Sequence, residues 1–405
     1  MSPDASSPAQ QTAIGLARRN AVLFIVAIGT ISLFADMAYE GARSATGPFL
    51  ATLGASGAIV GAVAGGGELV GYALRMLSGI FADRTRRYWT FVTIGFIIQL
   101  GAVPLLSLAG SWQLAALLIV AERTGKALRN PARDALLSNA TEATGHGWGF
   151  GLHQAMDQTG AVLGPLIVAA VMAWRGDYAI AFAMLTIPVV CCFIALFTAW
   201  RLFPHPESLR MNTVRVATQD LHRTYWIVVV TMSLVAAATL DYSLMAFHFQ
   251  KTGTLPVAWI PVAYALANAM QAFSAFFGGK LFDRMGAIVL AVALALAAFA
   301  AACALSGSTI LAFVGVALWG IGMGAQEGIV RAVIAISVAA ERRASAFGTY
   351  NACFGIAWFA GSAIMGRLYD AAPEAVMIVS AAGQLIAALV IGILLGRTRG
   401  PRPAH

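Results

Sequence analysis

Ionisable residues recur inside long apolar runs, where each is costly to bury and so expected to face a cavity or another charge. Asp36, Glu40 and Arg43 follow i, i+4, i+7, which puts them on one face of a helix. Glu122, Lys126, Arg129 and Arg133 follow i, i+4, i+7, i+11, with Arg123 beside them. Glu68 stands near the middle of its run, and Arg75 and Asp157 complete the set. Leaving out Arg133 and Asp134 near the end of a run, five acids face five bases in the first half of the chain. A balanced set in a dry medium points to paired networks. Such a network can be static. It can also switch, because a carboxylate that leaves an Arg for a dry environment takes up a proton.

The second half is sparser. Asp241, Glu327 and Arg331 lie in its runs, and Arg331 can pair with Glu327 one turn away. Asp241 is then left as a proton-site candidate. His153 stands one turn before Asp157, so it either titrates near neutrality or serves as a hydrogen-bonding helper; His248 has the same two readings. Met232, Asp241, Met245 and His248 share a run and would suit copper, although Met also fills gaps in apolar helices. Tyr72, Trp319, Tyr350 and Trp358 can line an apolar pocket or anchor at a lipid interface.

The elements that must hold these residues follow from composition. The chain is 59% hydrophobic and 11% charged, too few charges to cover a water-exposed surface around a core of this size. Lipid is the expected outer solvent, which demands helices for an all-helical, polytopic chain. Twelve apolar runs of spanning length start near Ala21, Gly57, Tyr88, Trp112, Gly147, Tyr178, Thr224, Val257, Ala287, Thr309, Ala344 and Glu374. The first continues through Asp36 and Glu40 without a small-residue cleavage site, so it reads as an uncleaved span.

Lys and Arg set the orientation. With the N-terminus inside, the inner segments carry sixteen of them, from Arg18 to Arg402, whereas the outer loops carry only Arg175, Lys251 and Arg367. Both termini are therefore expected in the cytoplasm of a multi-pass inner-membrane protein. The same asymmetry explains the net charge of +8 without nucleic acid. Cys191, Cys192, Cys303 and Cys353 lie in apolar runs and read as buried hydrophobes. No CxxC or Cys/His cluster suggests a metal centre, and no Walker loop, GxSxG or HExxH motif suggests an enzyme or a cofactor.

The chain repeats. Gly79-Ile80-Phe81-Ala82-Asp83-Arg84-Thr85-Arg86-Arg87 is echoed by Gly279-Lys280-Leu281-Phe282-Asp283-Arg284-Met285-Gly286, 200 residues later. Gly149-Phe150-Gly151 is echoed by Ala346-Phe347-Gly348. Two six-helix halves follow, at 21–201 and 224–396. A cytoplasmic tail (1–20), a polar linker with Pro204 and Pro206 (202–223) and a second tail (397–405) complete the layout.

These loops resemble the signature loop of the major facilitator superfamily. The resemblance implies the major facilitator fold, alternating access, a monomer, and a cytoplasmic gate made by Gly79, Asp83 and Arg84 with Asp134, and by Gly279, Asp283 and Arg284 with Glu341. The first loop departs from the family in carrying Arg86 where Gly is usual. Gly151, Gly160 and Gly164-Pro165 resemble the antiporter motif of the superfamily's exporters, without its last two glycines. The bland reading of those glycines is close helix packing. The stretch Glu122–Leu136, with Phe34-Ala35-Asp36 and the 44–61 region, resembles a bacterial group within the superfamily. The expectation is a secondary transporter driven by protons, most simply an antiporter that exports a small organic compound. An importer of an anion or a transition-metal ion, or a receptor that does not transport, are the alternatives.

Overall fold

The computed structural model describes residues 8–144, 146–204, 223–330, 333–334 and 343–395, and among them there is no strand. Backbone polar groups have no water to bond in hydrocarbon, and the helix satisfies them within one segment. Helices run from Pro8–Thr52 (α1), Gly57–Thr85 (α2), Tyr88–Leu105 (α3), Trp112–Thr144 (α4) and His146–Arg175 (α5) to Tyr178–Met184 (α6) and Thr186–Leu202 (α7). The second half holds Arg223–Ala238 (α8), Tyr242–Thr252 (α9), Trp259–Met285 (α10), Ile288–Ala297 (α11), Ala300–Ala304 (α12), Thr309–Ala325 (α13), Arg343–Ala371 (α14) and Pro373–Leu395 (α15). A π-helical turn, Gln326–Val330, extends α13.

Among the described residues, nine helical segments are long and apolar enough to cross a membrane. The other three expected runs fall on α4, on the α11–α12 pair, whose 17 residues are short for a span, and on α14. The outer surface is apolar: Ile194, Val230, Ile378, Leu389 and Ile393 are all exposed. The expected linker is described only at its ends, 202–204 and 223, and Arg331 and Glu341 lie outside the described residues.

Buried side chains form three clusters. One lies within the first half, around Phe24, Phe96 and Leu136. A second lies mostly within the second half, around Tyr225, Leu294 and Ile391. The third, with Phe49, Phe182, Phe247, Tyr264 and Tyr369, joins the two halves. The halves thus share a core at one end of the molecule and keep separate cores at the other. The shared end is sealed by small residues. A Cβ on Gly47 would overlap the Ser243 carbonyl, and one on Gly61 would overlap that of Ser362. Asp370, at the end of α14, accepts hydrogen bonds from the Gly57 and Ala58 amides at 2.8 Å each and so caps α2 of the opposite half.

The first of the repeated loops explains its departure from the family. Arg86 ends α2 at φ 55°, left-handed, with its amide bonded to the Ala82 carbonyl. Gly286 ends α10 at φ 75° and bonds Phe282 in the same way. The turn requires positive φ in both copies; the first one holds a side chain there at a cost.

Candidate functional site

A cavity of about 720 Å³ lies between the halves and opens at the end opposite the shared core. Its first-half wall comes from α1, α2, α4 and α5, and its second-half wall from α10, α13, the π-turn and α14. Asp36, Glu40, Arg43, Glu68, Arg75, Arg123, Lys126, Arg129, Arg133, Asp134 and Asp157 all line the first-half wall, so the helical spacing does converge on one space. On the second-half wall, Glu327 is the one acidic or basic residue among the described lining. The remainder there is mostly aromatic and amide, including Tyr264, Asn268, Trp319, Gln326, Phe354 and Trp358, with Met323 and Val330.

The charges pair in a pattern that spacing does not give. Glu68 Oε1 is shared by Arg43 Nη2 at 3.2 Å and Arg123 Nη1 at 3.5 Å. Arg123 Nε also meets Glu122 at 3.3 Å. Glu122 faces away from the large cavity; it accepts from Gln99, which in turn accepts from Arg129 Nε at 2.5 Å. Gln99 is fully buried and was legible as a lone amide in an apolar helix, yet it carries no charge and was not singled out. Lys126 does not turn to Glu122 one turn earlier; its Nζ donates to the Tyr39 hydroxyl at 2.8 Å and lies over that ring.

Two contacts carry the first-half charges across to the second half. Tyr264 on α10 donates to Glu40 at 2.6 Å. Arg43 Nη2 lies 3.9 Å from Asp241 Oδ2. Asp241 was expected in mid-helix without a partner. Instead the span breaks there: Asp241 caps α9 by accepting from the Ser243 amide at 2.8 Å. It is buried and lies outside the large cavity, in a pocket of about 30 Å³ shared with Arg43, Glu122 and Arg123. That volume suits one or two water molecules.

Nearer the open end, Arg133 binds Asp134 at 2.9 Å, lies 4.0 Å from Asp157, and donates to Ser32. Ser32 also bonds His153 Nε2 at 2.9 Å, so His153 is held by a hydroxyl and not by Asp157 one turn on. Asp36 is buried with Oδ1 unpartnered among the described residues. Arg84 and Arg284 are exposed, and the side chains of Asp83 and Asp283 lie outside the described residues. His248 bonds the Tyr369 hydroxyl at 2.9 Å near the sealed end. Among the described residues no three His, Cys, Asp or Glu are grouped to hold a metal.

The glycines of the exporter-like motif have two environments. Cβ atoms on Gly160 and Gly164 would overlap the carbonyls of Leu33 and Met37, so both let α5 lie directly on α1. Gly151 meets nothing within 4 Å and lines the cavity, as Gly79 and Gly279 stand open at their helix ends apart from Pro131 beside Gly79.

The family model of the Major Facilitator Superfamily matches residues 22–362 and 224–405. The chain belongs to this superfamily. An uncharacterised protein of Mycobacterium bovis is 39% identical to it over 375 residues, covering 91% of this chain and 92% of that one. An uncharacterised major-facilitator-type transporter of Methanocaldococcus jannaschii is 25% identical over 387 residues, with 91% and 93% covered. Among solved structures, a bacterial homologue of the human lysosomal transporter Spinster, inward-facing and unoccupied, superposes with TM-score 0.65 at 16% identity, covering 96% of each chain. That likeness shows the fold. In this major facilitator protein the cavity is the space between the helices of the first half of the chain and those of the second.

Proposed function

We propose that the chain is a proton-coupled secondary transporter of the inner membrane, a monomer with both termini in the cytoplasm, working by alternating access. On this reading the cavity faces the cytoplasm and the direction of net transport is export of a small organic compound in exchange for protons. The carrying observation is Arg43. It stands between Glu68 of its own half, at 3.2 Å, and Asp241 of the other, at 3.9 Å. Rocking the halves apart at the sealed end must break the longer contact and leave Arg43 to Glu68, which frees the Asp241 carboxylate in its small pocket. That carboxylate is the proposed coupling group of the proton-driven cycle. The exporter-like glycines of α5 favour antiport; the cavity-lining cations of the first-half wall favour the reverse reading, import of an anion with protons.

The test is proton flux in sealed vesicles that contain the purified chain, under an imposed pH gradient, with Asp241→Asn beside the wild type. Asparagine keeps the cap on α9 and removes the carboxylate. Substrate-dependent proton movement in the wild type, lost in Asp241→Asn with folding intact, is expected. Its sign separates exporter from importer. Equal coupling in both proteins would remove Asp241 from the mechanism.

A further inference from the structure

We propose that the cargo is an aromatic organic anion, a ring bearing a carboxylate or similar group, and that it binds along the seam where α2 meets α14. This rests on the transport reading above and names the chemistry that the cavity would select.

The seam presents an ordered strip. Arg75 lies over the Tyr72 ring, with its Cζ 5.4 Å from the centroid. The Tyr72 and Phe354 rings meet edge to face at 5.8 Å, and Phe354 meets Trp358 at 5.6 Å. The strip crosses from one half to the other and all four side chains line the cavity. Gly355 makes the crossing possible: a Cβ there would stand 2.8 Å from the Tyr72 ring.

Both polar ends of the strip are donors. Arg75 Nε and Trp358 Nε1 are buried without a hydrogen-bond partner among the described residues. Trp358 is 3% exposed. A buried N–H without an acceptor is destabilising, and an acceptor on the cargo would relieve it. Nor is Arg75 within ion-pair distance of a carboxylate among the described residues. Glu68, two turns back on the same face, is already held by Arg43 and Arg123. A guanidinium held near a ring can still receive a planar anion in the plane of its fork. The rings beyond it offer offset or edge contacts to a flat apolar body. An anion can accept from both of these N–H donors, whereas a cation can pair with neither. Because the strip is split between the halves, a bound anion would tie them together, which a cargo must do to be carried.

The test is equilibrium binding to the detergent-purified full chain, with no gradient, using four compounds of one size. Phenylacetate carries ring and charge, phenylacetamide the ring alone, cyclohexylacetate the charge without aromaticity, and phenethylamine the opposite charge. Phenylacetate is expected to bind about tenfold or more tighter than the amide, as a charge-assisted hydrogen bond implies. Cyclohexylacetate should bind several-fold more weakly, and phenethylamine weakest. Arg75→Gln should erase the preference for the anion over the amide, Arg75→Lys should keep part of it, and Trp358→Phe should weaken both compounds alike. Equal affinity for phenylacetate and its amide, tighter binding of the amine, a preference that survives Arg75→Gln, or no binding by any of the four would each overturn the proposal. If the preference holds while vesicles show no coupled flux, proton coupling fails and this site stands.

Discussion

The two halves of this transporter share a topology and divide its chemistry. The first-half wall of the cavity carries eleven of the twelve described charges that line it; the second-half wall is aromatic and amide, with Glu327 alone. The repeat therefore supplied two similar scaffolds on which different walls were built. Charges near each other can exchange partners at small displacements, so concentrating them in one half keeps the network connected while the halves move. The neutral wall can slide against cargo without stranding a buried charge. Polar contacts between the halves include Tyr264 to Glu40, Arg43 to Asp241, the Asn268 amide to the Ala161 carbonyl at 2.8 Å, and Asp370 to the start of α2.

The largest effect should come from Glu68→Gln, which leaves Arg43 and Arg123 without their shared carboxylate. Removing one partner of a buried ion pair costs about 3–5 kcal/mol, so coupled flux should fall on the order of 100-fold and thermal stability should drop. Asn268→Ala on the neutral wall should leave coupling nearly intact; if the two variants behave alike, the division of labour is wrong. Tyr264→Phe comes next. It removes a donor to the Glu40 carboxylate, worth about 1.5–3 kcal/mol, and should slow transport about tenfold with little change in the amount of folded protein.

Asp370→Ala should act on the sealed end alone. Losing a cap and its charge at a helix N-terminus is worth about 1 kcal/mol, enough to shift the balance of the two cavity states about fivefold toward opening at that end. Distances between spin labels placed across the 57–370 contact would read it, and an unchanged distribution would reduce Asp370 to a local cap. The smallest effect is expected from Arg86→Gly, which gives the first loop the residue that the second already has. It should raise stability by about 1 kcal/mol by relieving a left-handed side-chain residue. A lower unfolding temperature would mean that the Arg86 side chain earns its strained backbone by a contact of its own.

Much of this was open to reading in one dimension. Apolar length, the 200-residue repeat of Asp83-Arg84 and Asp283-Arg284, and the i, i+4, i+7 stripes at Asp36 and Glu122 determined the membrane setting, the family and most of the charged wall. These signals are local, since helical period and run length are set by neighbours along the chain. Partner choice is not. Five acids against five bases balanced within the first half on paper, yet Arg43 reaches Asp241 and Glu40 reaches Tyr264 in the other half, 198 and 224 residues away. Lys126 prefers a tyrosine to the acid one turn behind it, and the neutral Gln99 links Glu122 to Arg129. Asp241 reads as mid-span until the backbone breaks at that residue and turns its carboxylate into a cap. The sequence by itself settled which residues are costly enough to need a partner. Only the packing of distant helices decided which partner each one found, because pairing energy depends on separation in space and the periodicity of a single helix carries no information about its neighbours.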